Sequence, residues 1–238
     1  MGAWPDGPEI VLPAGDVTEG VVRIGDTVRR PHQATSVAVT AYLEHLESVG
    51  FPGAPRCLGR DEQGRDVLSF VDGAAAGDPP EPWAATGAVP PGVGRLVRAL
   101  HDASAGWVPQ VAMGAAIALI DFDLVGWTTR SVDLANTAMH WVPLRDPRDR
   151  HPVYDGVDVV GRLRLLIDGY GTDAVTGTQV LDPATLRFGA SYESMRWNAE
   201  HLGGGWARMW EEGVGELIRR RAEWFAEVRD VFALALGG

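Results

Sequence analysis

The chain has no lysine: all 21 of its basic residues are arginine. That excludes a phosphate-loop lysine, a Schiff-base lysine and a strand lysine gripping phosphates. It has one cysteine, Cys57, so no internal disulfide forms, and a lone thiol fits a reducing compartment. No apolar run reaches the roughly 18 residues that a membrane span needs. The opening residues Met1–Gly2–Ala3–Trp4–Pro5–Asp6 show neither the basic nor the apolar stretch of a signal peptide, so a cytoplasmic location is expected and no membrane partner. Positive charge is in short supply, with 21 basic against 32 acidic residues and a net charge of −11. Such a surface repels phosphate backbones, so no nucleic-acid partner is expected. A glycine-rich phosphate loop is missing too, since Gly15 to Gly20 lacks its spacing.

What is present suffices for a folded core: 238 residues, 45% of them hydrophobic. Ile10–Leu12 reads as a short strand. Val21–Ile24 and Thr27–Arg30 flank Gly25–Asp26 as a hairpin, and Pro31 ends it. Ser36 reads as the N-cap of a helix over Val37–Val49, whose stripe is Val39, Tyr42, Leu43, Leu46 and Val49. Arg56–Leu58 and Val67–Val71 form a second hairpin around Asp61–Gly64. Residues 73–91, rich in Ala, Gly and Pro, have the composition of a hinge. The pattern then turns helical, with Val93–Ala103, Asp133–His140, Val157–Gly169, a helix with Pro183 in its first turn, and Trp206–Leu236 broken near Gly213. The expected division is a β-rich lobe over 1–72, a hinge over 73–91 and a helical lobe over 92–238.

One run carries chemistry. Ile117–Ile120 reads as a buried strand that delivers Asp121 and Asp123 at its end. Two carboxylates two residues apart in a turn can converge on one cation, and Mg²⁺ takes one or two carboxylates together with phosphate oxygens. His45, His140 and His201 have no ligand spacing to one another. Six of the nine tryptophans fall from Trp127 onward and suit either the core or the wall of a pocket for an aromatic or cationic molecule.

Val21–Pro31, Leu43–Pro55, Asp61–Phe70, Leu100–Asp102, Ala118–Asp123, Asp133–Ala135 and Gly205–Gly213, in that order, resemble the aminoglycoside phosphotransferase and choline-kinase-like family of small-molecule kinases. The resemblance implies an α+β, bilobal, protein-kinase-like fold, with a small N-terminal sheet lobe, a larger helical lobe and ATP in the hinge cleft. It implies that Asp121 binds Mg²⁺, with Asp123 a second acid beside it, and that Asp133 braces the following loop. Arg29 or Arg30 would grip phosphate from a strand, with Glu44 as the helix partner. Arginine binds phosphate as a fork rather than a point charge, so this replacement of lysine is not neutral.

The departure from the family is equally specific. The family places His-Gly-Asp, four residues and Asn ahead of the Asp strand, to orient the acceptor hydroxyl and hold a second metal. Here Ala105 to Ala118 contains no Asp, Glu, His or Asn. His101–Asp102 ends a predicted helix, and the only asparagines, Asn136 and Asn198, fall in other helices. Positioning and electrostatics supply nearly all of phosphoryl-transfer catalysis, so this loss is costly. The expectation is a small-molecule binding protein on a phosphotransferase scaffold with incomplete machinery. The alternatives are an ATP- and Mg²⁺-dependent phosphotransferase in which Asp121 and Asp123 hold Mg²⁺ and Asp102 or substrate geometry replaces the base, and an acid/base enzyme using Asp121 or Asp123 with a neighbouring His.

Overall fold

Alternating Val and Arg on both sides of a Gly-Asp turn make a two-sided ribbon, and the ribbon is the heart of the sheet. The computed structural model describes residues 7–12, 20–76, 80–107 and 128–237. Five short strands, β1 (Ile10–Val11), β2 (Val22–Ile24), β3 (Thr27–Arg30), β4 (Cys57–Arg60) and β5 (Asp66–Ser69), form one antiparallel sheet in the order β1-β2-β3-β5-β4. On β3, Arg29 stands opposite Val22 on one side and Val67 on the other, while Arg30 stands opposite Asp66. A register irregularity between Cys57 and Gly59 twists the β4 edge.

Helix α1 (Ser36–Ser48) follows the hairpin. Its stripe packs as the spacing predicts: Val39, Tyr42, Leu43 and Leu46 are buried together with Phe51 and Leu100. Val49 is the exception, because the helix has ended and this side chain is half exposed. Ser36 is not the N-cap. Thr35 holds that position, and the Ser36 hydroxyl accepts from the Gln33 N–H and donates to Asp66.

Helix α2 (Val89–Ala103) starts earlier than expected, because Pro90 and Pro91 sit in its first turn, where a missing N–H costs nothing. Then come α3 (Arg130–Trp141), α4 (Val159–Tyr170), α5 (Gly177–His201), α6 (Gly204–Glu211) and α7 (Val214–Leu236). Pro183 lies inside α5, not in its first turn. The helix begins at a capping box in which Thr176 and Gln179 satisfy each other's backbone N–H groups, and this start lies well before the proline. Gly213, left-handed at φ 86°, separates α6 from α7.

The molecule is thus α+β, with an antiparallel sheet and a mainly helical remainder. Of the described residues, those within Met1–Ala74 and Ala99–Trp127 form one compact unit, and those within Ala75–Arg98 and Thr128–Gly238 form the other. The end of α2 belongs with the sheet unit because Leu100, Ala103 and Trp107 pack on α1. The helical unit is centred on Leu163, Leu166, Leu181, Phe188 and Phe225, with Phe188 and Phe225 edge to face at 4.9 Å. Arg162, 3% exposed on α4, donates to the carbonyls of Ala84, Ala85, Thr86 and Trp141 and ties the 3₁₀ turn Pro82–Ala85 to the helices. Among the described residues, no helix is long and apolar enough to cross a membrane.

Candidate functional site

The hairpin register places two arginines side by side on a strand whose neighbour begins with an acid. Arg29 Nε lies 3.6 Å from Asp61 Oδ2, with side-chain exposures of 2% and 9%. Its guanidinium also donates to the Thr27 hydroxyl, which in turn donates to the Ile24 carbonyl at 2.7 Å. Asp61 caps the β4–β5 turn by accepting from the Gln63 and Arg65 N–H groups and from Arg65 Nε at 2.8 Å. Burial alone would raise the Asp61 carboxyl. The Arg65 side-chain and backbone hydrogen bonds, then its charge and the Gln63 N–H, outweigh burial and hold the group below the usual carboxylate range.

Asp66 is the second hub. It accepts from the Ser36 hydroxyl at 2.5 Å and from His32 Nδ1 at 2.8 Å, with Arg60 Nε at 3.5 Å and Arg30 Nε at 4.0 Å. Arg60 also reaches His32 Nε2 at 2.5 Å. A guanidinium can only donate, so Nε2 accepts and the imidazole proton sits on Nδ1, facing Asp66. Ser36 and His32 both spend their protons on one carboxylate and are not arranged as a nucleophile and its base. This network binds the N-terminus of α1 to β3, β4 and β5.

The sequence expectation made Glu44 the carboxylate partner of the strand arginine. Glu44 is exposed on α1, while Asp61 and Asp66 from the second hairpin lie beside Arg29 and Arg30. The reason is register: β3 pairs directly with β5, which puts Asp66 opposite Arg30. Asp133 is buried in the first turn of α3, where a carboxylate suits the positive end of the helix. His101 and Asp102 lie near the C-terminal end of α2, with Asp102 exposed. Asp121 and Asp123, expected to hold Mg²⁺, lie outside the described residues. Among the described residues, no group of three or more His, Cys, Asp or Glu side chains could hold a metal ion. Cys57 is half buried on β4, with its thiol 3.6 Å from the Thr40 hydroxyl.

In the helical unit, the last turns of α5 carry a shallow groove of about 410 Å³, walled by Trp197 between Glu193 and Glu200. Trp197 is 53% exposed and stacked on His201, with ring centroids 4.5 Å apart at 12°. Arg196 bridges both acids, at 2.7 Å to Glu193 and 3.9 Å to Glu200. Its volume lies within the range of small-molecule sites, and its wall is a broad π face beside carboxylates. A depression in the sheet unit by Leu43, Phe51 and Arg56 measures about 240 Å³, below that range.

The trifolitoxin immunity protein of Rhizobium leguminosarum bv. trifolii is 30% identical to this chain over 198 residues, spanning 68% of this chain and 74% of that protein. No family model matches the chain. No solved structure matches it either.

Proposed function

The chain belongs to the family of the trifolitoxin immunity protein, and on that premise we propose that it protects a cell from a toxin by binding it rather than by phosphorylating it. The observation that carries this reading is the similarity over 198 residues to a protein named for immunity. The scaffold we propose is the bilobal one of the aminoglycoside phosphotransferases, with a small molecule as ligand.

Chemistry supports binding over transfer. Without lysine, and without an acid or asparagine from Ala105 to Ala118, the chain lacks groups that position an acceptor and a second metal. Arg29 is committed to Asp61 and Thr27 inside the sheet. Trp197 and its flanking acids supply a surface suited to an aromatic or cationic ligand, and a net charge of −11 draws cations toward it. Asp121 and Asp123 favour a second reading, an ATP- and Mg²⁺-dependent phosphotransferase with a non-standard base.

The test is expression in trifolitoxin-sensitive cells. Protection by the chain, retained without Asp121 and Asp123 and lost in Trp197→Ala, supports binding through the α5 groove. Protection that vanishes in Asp121→Asn favours phosphoryl transfer. No protection, with the relative protecting in parallel, overturns the immunity reading.

A further inference from the structure

The helical unit contains a positive cluster at odds with the acidity of the whole chain. Helix α7 carries Arg219, Arg220 and Arg221 in succession. Arg219 is held by Glu216 and Glu223. Arg220 is held by Asp149 at 2.7 and 2.9 Å. Arg148 takes up the other nearby acid, Asp146, at 2.7 and 3.0 Å. Arg221 has none of this. Its Nε is buried without a hydrogen-bond partner, and its guanidinium carbon lies 5.6 Å from the centroid of Phe188, itself 2% exposed. Among the described residues, Arg145, Arg187 and Arg221 form no ion pair.

Arg145 and Arg187 lie near enough for their charges to reach Arg221. Burial first, then the charges of Arg145 and Arg187, pull the Arg221 guanidinium down to about 10, with Asp149 opposing weakly. A buried cation with an unsatisfied N–H is costly to keep, and an aromatic face offsets only part of that cost. Two more cations brought near it add repulsion. Folding alone gives no reason to gather them where each local carboxylate is already engaged.

We propose that Arg221, Arg145 and Arg187 form an anion-binding site between α5, α7 and the segment before Pro147, and that it takes a phosphate or phosphate monoester. Charge selects the ligand class. A phosphoryl group brings about −1.5 to −2 at neutral pH and three strong acceptor oxygens, whereas a carboxylate brings −1. Three guanidiniums are better matched by the former. This inference does not rest on the immunity reading: the site lies wholly in the helical unit and requires no phosphoryl transfer.

The test is thermal unfolding of the full chain in inorganic phosphate against sodium chloride of matched ionic strength. The expected result is a phosphate-specific rise in Tm of about 3 °C or more at ten times the Kd. Arg187→Gln, on an exposed position, should keep the fold and lose most of that rise, and Arg145→Gln should weaken it. Arg221→Met removes the buried charge and should abolish the phosphate response while raising Tm in chloride. If that variant does not fold, Arg187→Gln and Arg145→Gln carry the test. O-phosphoethanolamine separates the sources: a larger rise than with inorganic phosphate assigns an organic monoester, and an equal rise assigns the free ion. Equal Tm in phosphate and chloride, or a rise unchanged in Arg187→Gln and Arg145→Gln, overturns the proposal.

Discussion

Arg29 Nε stands 3.6 Å from Asp61 Oδ2, and less than a tenth of either side chain meets solvent. A buried pair of this kind contributes little net stability over an apolar replacement, but breaking it from one side strands a charge. Asp61→Asn should therefore destabilise by about 3 kcal/mol, because Arg29 is left without its carboxylate. Arg29→Met should cost less, since Asp61 keeps Arg65. The double variant should be more stable than Asp61→Asn alone. Urea unfolding of the four proteins checks this, and strictly additive losses would contradict it.

Arg162 offers a sharper case. Its guanidinium answers four carbonyls, those of Ala84, Ala85, Thr86 and Trp141. Burial lowers its pKa from the ordinary arginine range, with the electrostatics of the Tyr154 hydroxyl opposing. Arg162→Met should cost about 3–5 kcal/mol, because the carbonyls lose their donor and stay buried. Arg162→Lys should recover little, since an ammonium cannot span the same fork. Denaturation midpoints measure both.

Acid sensitivity should trace in part to Asp146. Hydrogen bonds from the Arg148 side chain and backbone, opposed by burial and aided by the charges of Arg148 and Arg220, lower its carboxyl to about 2. A carboxyl depressed in the folded state contributes stability that is fully present above the unfolded value of about 4 and is lost as pH falls through the folded value. The unfolding midpoint should fall between about pH 4 and 2, and Asp146→Asn should flatten that fall without changing its slope near neutrality. Asp61, also depressed, adds a further part over the same direction.

Helices α2 and α4 meet backbone to backbone. A Cβ on Gly94 would lie 2.2 Å from the Leu166 carbonyl oxygen, and one on Gly169 would lie 2.4 Å from that of Pro91. Gly94→Ala should destabilise by about 1–3 kcal/mol despite the better helix propensity of alanine. Gly92→Ala, where a Cβ meets nothing within 4 Å, should be neutral or slightly stabilising. Thermal unfolding distinguishes the two.

Local signals proved readable and tertiary ones did not. The two hairpins, the stripe of α1 and the break at Gly213 follow from turn chemistry and periodicity within a few residues. On α2, Val97 and Leu100 are buried, whereas Leu96 is 40% exposed and Gly94 makes the close approach to α4. Glycine carries no hydropathy signal for close approach, so only the partner helix reveals its role. Pro183 suggests a start for α5 that is too late, because the capping box at Thr176 and Gln179 begins the helix earlier. At the candidate site, Arg29 and Arg30 are visible as strand cations, whereas Asp66 comes opposite Arg30 through the β3–β5 register and Asp61 reaches Arg29 from the β4–β5 turn. An antiparallel pairing of the two hairpins was the available clue. Arg221 was invisible as a special residue, since three consecutive arginines on a helix read alike until their carboxylates are placed.

Protection by binding, as proposed, leaves the toxin covalently unchanged. The most direct measurement is the intact mass of trifolitoxin after incubation with the chain, ATP and Mg²⁺, read beside its retention by the chain on a sizing column. The account predicts toxin of unchanged mass that co-elutes with the protein whether or not ATP is present. Toxin heavier by one phosphoryl group, formed only with ATP, would contradict it.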